Sequence, residues 1–180
     1  LLKKCKLSLN DLQKVVASRK ATLREGFDKL LEIISKNDIM MTIITAGGLG
    51  GDTIKLFLEN EGIDYSKINI ISNHLIWDKD GFMIGVKEPI VHPFNKDEIV
   101  GQNEEIKDKI NSRQNILLLG DGLSDLQMSK NMPVKNIIKI GYLNEKEEEL
   151  KEMFLENFDV VILNDQGLDK VNEILTNVTS

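Results

Sequence analysis

The 180-residue sequence combines 41% hydrophobic with 29% charged residues, a balance that predicts one globular domain with a proper core. Its net charge of -6 argues against binding to a nucleic acid polymer, which would need a basic patch. No apolar run approaches the roughly 20 residues of a membrane span, and no signal-peptide pattern opens the sequence. Cys5 is the only cysteine, so an internal disulfide is excluded and a reducing, cytoplasmic compartment is expected.

The hydrophobic pattern predicts helices that alternate with strands along most of the chain. Apolar residues recur every three to four positions in residues 8–22 and 24–36, which predicts two helices. Residues 39–45 then form a nearly continuous apolar run, typical of a strand buried on both faces. In chain order the later predicted elements are a helix at 52–61, a strand at 68–72, a hairpin at 74–86, a polar helix near 97–111, a strand at 115–119, a helix at 124–130, a strand at 136–140, a helix at 144–156, a strand at 159–163 and a helix at 167–177.

Strands alternating with helices indicate an α/β fold, with a parallel sheet covered by helices on both faces. We expect a domain boundary near Thr22, between the first helix and the alternating part. Ligands of such a sheet bind beyond the carboxyl ends of its strands, so the residues that follow each strand are the candidate site residues. These are Thr45 with its glycine turn, Lys96 in a later loop, and Asp121 after the strand at 115–119.

The glycine turn that follows Thr45, AGGLGGD, has two interpretations. It can expose several backbone N–H groups at a helix start, where they would bind an anion, and the Thr45 hydroxyl would add a donor. A tight connection from strand to helix, without a ligand, explains the same pattern. The turn matches neither the dinucleotide-binding GxGxxG motif nor the P-loop, so a nucleotide-cofactor dehydrogenase is not favoured.

Two acids, Asp121 and Asp125, follow the strand at 115–119 closely. A helix cap would account for one of them, but it accounts for both less easily. Two clustered carboxylates at a strand end suit Mg²⁺, which takes oxygen ligands and keeps several waters. Most lysines are solvated surface groups, but Lys96 follows a proline-marked loop, HPFNK, and precedes a polar helix. A hydroxyl, an ammonium and two carboxylates together predict a site for a phosphoryl group bound with Mg²⁺.

The order of these motifs, a small hydroxyl residue after a strand, then a lysine, then GD-x3-D, resembles the haloacid dehalogenase (HAD) superfamily of phosphatases. Five segments resemble more closely the cytosolic 5'-nucleotidase III family, also called pyrimidine 5'-nucleotidases: LREGF, ITAG, VHPFNK, NILLLGDGLSDLQM and IIKIGYLNEKEEEL. The resemblance covers nearly the whole chain. It implies a HAD-like Rossmannoid α/β core with a β-hairpin in residues 23–180, and the end of a helical cap in residues 1–22.

The resemblance also implies a role for each phosphate-binding candidate. Thr45 would be the hydroxyl residue that binds the phosphate, a position usually occupied by serine in the family. Ala46 and Gly47 would border the phosphate, and Lys96 would stabilise the phosphoryl group. The turn after Thr45 looks longer than the family's SAGIGD, which puts the shape of this phosphate site in question.

For the metal, the resemblance implies that Asp121 binds Mg²⁺ and that Asp125 supports both the lysine and the metal. The implied activity is Mg²⁺-dependent hydrolysis of nucleoside 5'-monophosphates. A preference for the pyrimidine nucleotides CMP and UMP rests on the resemblance alone, because base recognition in the family comes largely from the cap. One further departure from the family is that its GDS is GDG here, at residues 120–122.

Enzymes of this superfamily use an aspartate nucleophile in a DxDxT-type motif on the first core strand, which forms a phosphoaspartate that water then hydrolyses. No such motif precedes residue 23, and the sequence begins with Leu1 instead of Met. We therefore expect a fragment whose nucleophile and first core strand lie outside this chain, with a missing N-terminal segment that completes the sheet. Asp78-Lys79-Asp80 could substitute for the motif, but the following Gly81 favours a hairpin turn.

Two other functions are compatible with parts of this pattern. A catalytically inactive, truncated HAD-like protein could keep the fold and still bind phosphate and Mg²⁺. A phosphoacceptor receiver domain also uses Asp, Thr and Lys around Mg²⁺, but there the acceptor aspartate precedes the threonine and the lysine. Here Thr45 and Lys96 precede Asp121, so the receiver interpretation is not favoured.

Overall fold

The computed structural model describes residues 2–130 and 132–179, apart from the side chain of Glu105. Its elements in chain order are helices α1 (Leu9–Ala17) and α2 (Phe27–Lys36), strand β1 (Met41–Ile44), helix α3 (Gly50–Asn60), strands β2 (Ile68–Ile71), β3 (His74–Trp77) and β4 (Met83–Lys87), helices α4 (Lys96–Gln102) and α5 (Glu104–Asn111), strand β5 (Asn115–Gly120), a 3₁₀ helix (Leu123–Ser129), strand β6 (Asn136–Leu143), helix α6 (Glu147–Asn157), strand β7 (Val160–Leu163) and helix α7 (Asp169–Thr179).

The chain divides into two compact units. The first unit holds Leu1–Thr22 and Met40–His92, and the second holds Leu23–Ile39 and Pro93–Ser180. This division by packing differs from a split into residues 1–22 and 23–180, because residues 40–92 pack with the N-terminal segment. The assignment of residues 1–22 to the end of a cap and of residues 23–180 to a core stays a prediction.

In the first unit, β1 and β2 form a parallel pair, in a register that places Ile44 opposite Ile71. Helices α1 and α3 pack against each other, and Leu12 and Leu58 are almost fully buried on them. The β3–β4 hairpin is antiparallel, as predicted. Its turn is closed by Asp78, whose Oδ1 accepts hydrogen bonds from backbone N–H groups two and four residues further on.

The second unit contains a parallel sheet with the strand order β5-β6-β7, covered on both faces. Side chains alternate along a strand, so consecutive residues within β6, and likewise within β7, face opposite sides of the sheet. Helices α2 and α7 cover one face and α6 with the 3₁₀ helix covers the other. Burying each large apolar side chain contributes roughly 1.5–3 kcal/mol. On the first face lie the buried residues Leu30, Ile33, Ile140, Tyr142, Ile162, Leu168, Val171 and Leu175, and on the second lie Leu143, Phe154 and Phe158.

Strand β6 extends three residues beyond its predicted end because Gly141 lies inside the strand, where it pairs with Gly120 and Val161. A Cβ at Gly141 would lie 2.7 Å from the Phe158 ring, so glycine here lets α6 pack closely on the sheet. The stacked rings of Phe154 and Phe158, with centroids 5.0 Å apart, fill that space.

Three predicted helices differ most from the structure, and the ends of the others differ by up to three residues. The first ends at Ala17 rather than at residue 22. The polar helix near 97–111 is two helices, because the Asn103 side chain accepts a hydrogen bond from the Ile106 N–H at 3.1 Å and begins a second helix. The helix predicted at 124–130 is a 3₁₀ helix. The α/β class with parallel strands is confirmed. In the described part of the chain, no helix has both the length and the apolar character needed to span a membrane.

Candidate active site

A buried ion pair joins the start of α4 to the 3₁₀ helix. Lys96 Nζ lies 2.6 Å from Asp125 Oδ1, and the two side chains are only 9% and 10% exposed. Lys96 is the first residue of α4, which begins directly after the HPFN segment. Asp125 lies in the first turn of the 3₁₀ helix that follows β5. A buried charge without a partner would be costly, so each side chain stabilises the other in its place.

Asp125 also holds the loop that follows β5. Its Oδ2 accepts hydrogen bonds from the N–H groups of Asp121 at 2.9 Å and Gly122 at 3.2 Å. A Cβ at Gly120 would lie 2.5 Å from the Asp125 Cβ, so the glycine at the end of β5 makes this close approach possible. Asp125 therefore fixes the backbone of Asp121 and the ammonium of Lys96 at the same time.

The Asp121 side chain has a different setting from that of Asp125. Asp121 is exposed, and its carboxylate makes no hydrogen bond or ion pair with any residue in 2–130 or 132–179. A free carboxylate at the carboxyl end of β5 suits Mg²⁺, which is often held by one or two carboxylates together with waters and substrate phosphate. No group of three or more His, Cys, Asp or Glu side chains able to hold a metal occurs among the described residues.

The donor set thus fits an ion that takes one protein carboxylate and draws its remaining ligands from water and phosphate. Asp121 has the free oxygens for this, whereas both Asp125 oxygens already accept hydrogen bonds. The structure shows Asp125 in contact with Lys96, and its role as a support for a catalytic lysine stays a prediction. The metal-binding roles of Asp121 and Asp125 stay predictions.

The loop of residues 45–49, called the Thr45 loop below, connects β1 to α3. The Thr45 N–H donates to the Ile71 carbonyl at 3.0 Å, which continues the β1–β2 pairing by one residue. The Thr45 hydroxyl accepts a hydrogen bond from the Gly47 N–H at 3.1 Å, so a short turn brings Thr45, Ala46 and Gly47 together. Within residues 2–130 and 132–179, the N–H groups of Ala46 and Gly48 donate to no acceptor. Such free amides beside a hydroxyl suit an anion.

The site residues predicted from the sequence therefore form two groups. The second unit brings together Lys96, Asp121 and Asp125, and the first unit brings together Thr45, Ala46 and Gly47. Approach of the two groups to one phosphate stays a prediction.

Two residues, Asn73 and Arg24, were missed by the sequence reasoning. Asn73, two residues beyond β2, hydrogen-bonds the Thr45 loop, and the rule that points to residues after strands would have found it. Arg24 lies over the ring of Tyr142, 4.1 Å from its centroid, and pairs with Asp165 at 2.7 Å. Burial raises the pKa of the Tyr142 phenol, and the positive charge of Arg24 opposes that rise. No local sequence signal marks this second cluster, because its members are far apart in the chain.

Comparison with known proteins identifies the family to which this sequence and fold correspond. The sequence model of the pyrimidine 5'-nucleotidase (UMPH-1) family matches residues 1–179. The 7-methylguanosine phosphate-specific 5'-nucleotidase A of Xenopus laevis is 40% identical over 170 residues, which are 94% of this chain and 58% of that protein. The human 7-methylguanosine phosphate-specific 5'-nucleotidase is 33% identical over 179 residues, which are 99% of this chain and 59% of that protein.

Among solved structures, cytosolic 5'-nucleotidase IIIB bound to cytidine matches with a TM-score of 0.80 and 25% identity, over 91% of this chain and 55% of that one. The chain thus spans a little over half the length of these relatives. Sequence and fold agree, and the resemblance found in the motifs is confirmed. This chain belongs to the pyrimidine 5'-nucleotidase (UMPH-1) family.

Proposed function

We propose that this chain carries the phosphate-binding and Mg²⁺-binding parts of a nucleoside 5'-monophosphate phosphohydrolase. The observation that supports the proposal most is the buried pair of Lys96 and Asp125, held next to the free carboxylate of Asp121. Membership of a 5'-nucleotidase family supplies the class of reaction. A surface ion pair would not need this degree of burial, whereas a lysine that acts on a phosphoryl group does need a fixed position.

Each group has a chemical task in this proposal. The Thr45 hydroxyl and the free N–H groups of the Thr45 loop would hold phosphate oxygens, since amides directed at one point bind anions. Lys96 would stabilise the negative charge that develops on the phosphoryl oxygens during transfer. Asp121 would hold Mg²⁺, which when bound neutralises charge on the phosphate and orients it.

The nucleophile in this proposal is an aspartate outside residues 1–180, as in the superfamily. Its carboxylate oxygen would attack phosphorus while the bond from phosphorus to the 5' oxygen breaks. The leaving 5' oxygen would take a proton from the second aspartate of the same DxDxT-type motif, acting as general acid. Water would then hydrolyse the phosphoaspartate to phosphate. Asp78 is an unsuitable replacement, because its Oδ1 already closes the hairpin turn through two backbone N–H groups.

The comparisons favour two candidate groups of nucleotide substrate. The family description and the bound cytidine of the solved relative favour CMP and UMP, which we propose as the substrates. The names of the relatives at 33% and 40% identity favour 7-methylguanosine monophosphate as the second candidate. We propose the cytoplasm as the location, as the solved relative is described as cytosolic.

The test is phosphate release from CMP, UMP and 7-methylguanosine monophosphate, with Mg²⁺ and with EDTA. It is run on the 180-residue chain and on the protein encoded by its full open reading frame. Mg²⁺-dependent phosphate release by the protein of the full open reading frame, but not by the 180-residue chain, supports the proposal and a nucleophile outside residues 1–180. Release by the 180-residue chain would overturn the outside nucleophile.

An absence of release in both proteins would overturn the enzymatic proposal. Binding of inorganic phosphate and Mg²⁺ by such an inactive protein would then establish the alternative, a catalytically inactive phosphate-binding and Mg²⁺-binding member of the family. The spread of rates among the three nucleotides decides the base preference.

A further inference from the structure

Asn73 is a buried asparagine that connects three separate segments of the first unit. It is only 6% exposed and lies two residues beyond the end of β2. Its Oδ1 accepts a hydrogen bond from the Val91 N–H at 2.8 Å, and its Nδ2 donates to the Val91 carbonyl at 3.0 Å. The same Nδ2 donates to the Ala46 carbonyl at 3.4 Å. Its own carbonyl accepts from the Gly51 N–H at 3.1 Å, at the start of α3.

The strand register explains why Asn73 reaches the Thr45 loop. Ile44 pairs with Ile71 at the carboxyl ends of β1 and β2. Ala46 and Asn73 each lie two residues beyond that pair, so they leave the sheet at the same level. An amide side chain carries a donor and an acceptor, and it can therefore bond both the N–H and the carbonyl of Val91. No charged side chain of similar size offers this combination.

Ser72 and Asn73 together require the two glycines at the start of α3. Gly50 has a φ of +71°, and a Cβ there would lie 2.7 Å from the Asn73 carbonyl oxygen. A Cβ at Gly51 would collide with the Ser72 hydroxyl. The start of α3 thus lies directly against the Ser72 side chain and the Asn73 backbone, which only residues without a Cβ permit.

We infer that Asn73 is a positioning residue for phosphate binding by the Thr45 loop. By holding the Ala46 carbonyl, it sets the plane of the peptide between Ala46 and Gly47, and so the direction of the neighbouring N–H groups. Asn73 would not touch the phosphate. This inference rests on the proposed function, because it needs the Thr45 loop to bind phosphate.

The variant Asn73→Asp tests the inference with almost no change in shape. It keeps an acceptor for the Val91 N–H but places a carboxylate oxygen against the carbonyls of Val91 and Ala46. Asn69→Asp, in the strand β2 that leads to Asn73, is the matched control. Asn69 Nδ2 donates to the Met41 carbonyl at 3.1 Å, at the opposite end of the β1–β2 pair from the Thr45 loop.

Inorganic phosphate is titrated with Mg²⁺ into the 180-residue chain, and the amide NMR signals of Ala46, Gly47 and Gly48 are followed. Asn73→Asp is expected to weaken phosphate binding on the order of tenfold, the effect of losing about one hydrogen bond and its direction. Asn69→Asp is expected to lower the urea midpoint while phosphate affinity stays at the wild-type value. A purely structural role would instead lower stability in both variants without this difference in affinity.

Equal phosphate affinity in Asn73→Asp and the wild type would overturn the inference alone. If Asn73→Asp does not fold, Asn73→Ser replaces it and is judged by the same comparison. A wild-type chain whose Ala46, Gly47 and Gly48 signals do not respond to phosphate would overturn phosphate binding by the Thr45 loop, and with it the inference. The two failures are therefore distinguishable.

Discussion

Lys96 is held by Asp125 through a 2.6 Å contact between its ammonium nitrogen and Oδ1 of the carboxylate, with both side chains nearly buried. The other oxygen of the same carboxylate binds the backbone N–H groups of Asp121 and Gly122. One carboxylate thus couples the position of the lysine to the position of the candidate metal ligand. This coupling makes Asp125 the residue whose loss should disturb the site most widely.

Replacement of Asp125 with asparagine should lower both activity and stability. Removing one partner of a buried pair leaves an uncompensated charge, which costs about 3–5 kcal/mol. In the protein of the full open reading frame, Asp125→Asn should reduce nucleotide hydrolysis on the order of 10²-fold, as for the loss of a transition-state charge stabiliser. Lys96→Ala should reduce it at least as much. Urea unfolding and initial rates measure the two effects.

The exposed pair of Lys170 and Glu173, at 2.8 Å, provides the matched control. Glu173→Gln should change the free energy of unfolding by less than about 1 kcal/mol, because an exposed pair is screened by water. The double variant Lys96→Met with Asp125→Leu should recover part of the stability lost in Asp125→Asn, because it leaves no buried charge unpaired. Recovery should be incomplete, since the N–H groups of Asp121 and Gly122 lose their acceptor, and activity should stay low. Wild-type rates in Lys96→Ala would remove Lys96 from the mechanism.

Asp121→Asn should abolish Mg²⁺ binding, and with it the stimulation of hydrolysis by Mg²⁺, while the free energy of unfolding changes little. The carboxylate is exposed and makes no hydrogen bond within the described residues, so little stability is lost with its charge. Mg²⁺ should raise the melting temperature of the wild type by binding the native state, and this rise should disappear in the variant. Asp80→Asn, an exposed acid at the hairpin turn, should keep the rise. An unchanged Mg²⁺ response in Asp121→Asn would exclude Asp121 as a ligand.

Gly50→Ala should destabilise the protein more than Gly62→Ala, although both glycines have nearly the same left-handed backbone, with φ of +71° and +72°. Each alanine pays the cost of that conformation, about 1–2 kcal/mol. At Gly62 nothing lies within 4 Å of the added Cβ, whereas at Gly50 the Asn73 carbonyl lies 2.7 Å away. The backbone must shift there, which adds roughly 1–3 kcal/mol. Urea midpoints of the two variants decide the point, and equal losses would show that the close approach is relieved cheaply.

Tyr142 should make the protein less stable in alkali. Burial raises the pKa of its phenol above the ordinary value near 10, with Arg24 opposing the rise. A raised pKa in the folded state means that the contribution of the neutral phenol is fully present below about pH 10 and is lost as pH rises through the folded value. Tyr142→Phe should flatten the fall of the urea midpoint between about pH 9 and 11. The pKa of Tyr65 is also raised, chiefly by its hydrogen bond to Glu59, but water screens that contact, so Tyr65→Phe should flatten the fall less. Parallel pH profiles for wild type and Tyr142→Phe would contradict this account.

Local pattern was sufficient to locate the strands. The runs predicted at 39–45, 68–72, 115–119 and 159–163 contain β1, β2, all but the last residue of β5, and β7. A buried strand needs consecutive apolar residues, and that requirement is visible in any stretch of sequence. Element ends were harder to predict. Gly50, Gly51 and Gly141 were interpreted as turn residues or left outside elements, yet they lie in α3 and β6, where a residue distant in the chain occupies the space that a Cβ would need.

The same contrast holds for the candidate site. Residue types, their order and the strands they follow are properties of the chain, and these were enough to select Thr45, Lys96, Asp121 and Asp125 and to suggest the family. The sequence did not show which of the two acids contacts Lys96. Only the folded chain shows that it is Asp125, because Lys96 and Asp125 are 29 residues apart and meet through packing. Asn73 and Ala46, 27 residues apart, show the same dependence. Side chains this far apart are brought together by strand register and burial, and neither is encoded in a local motif.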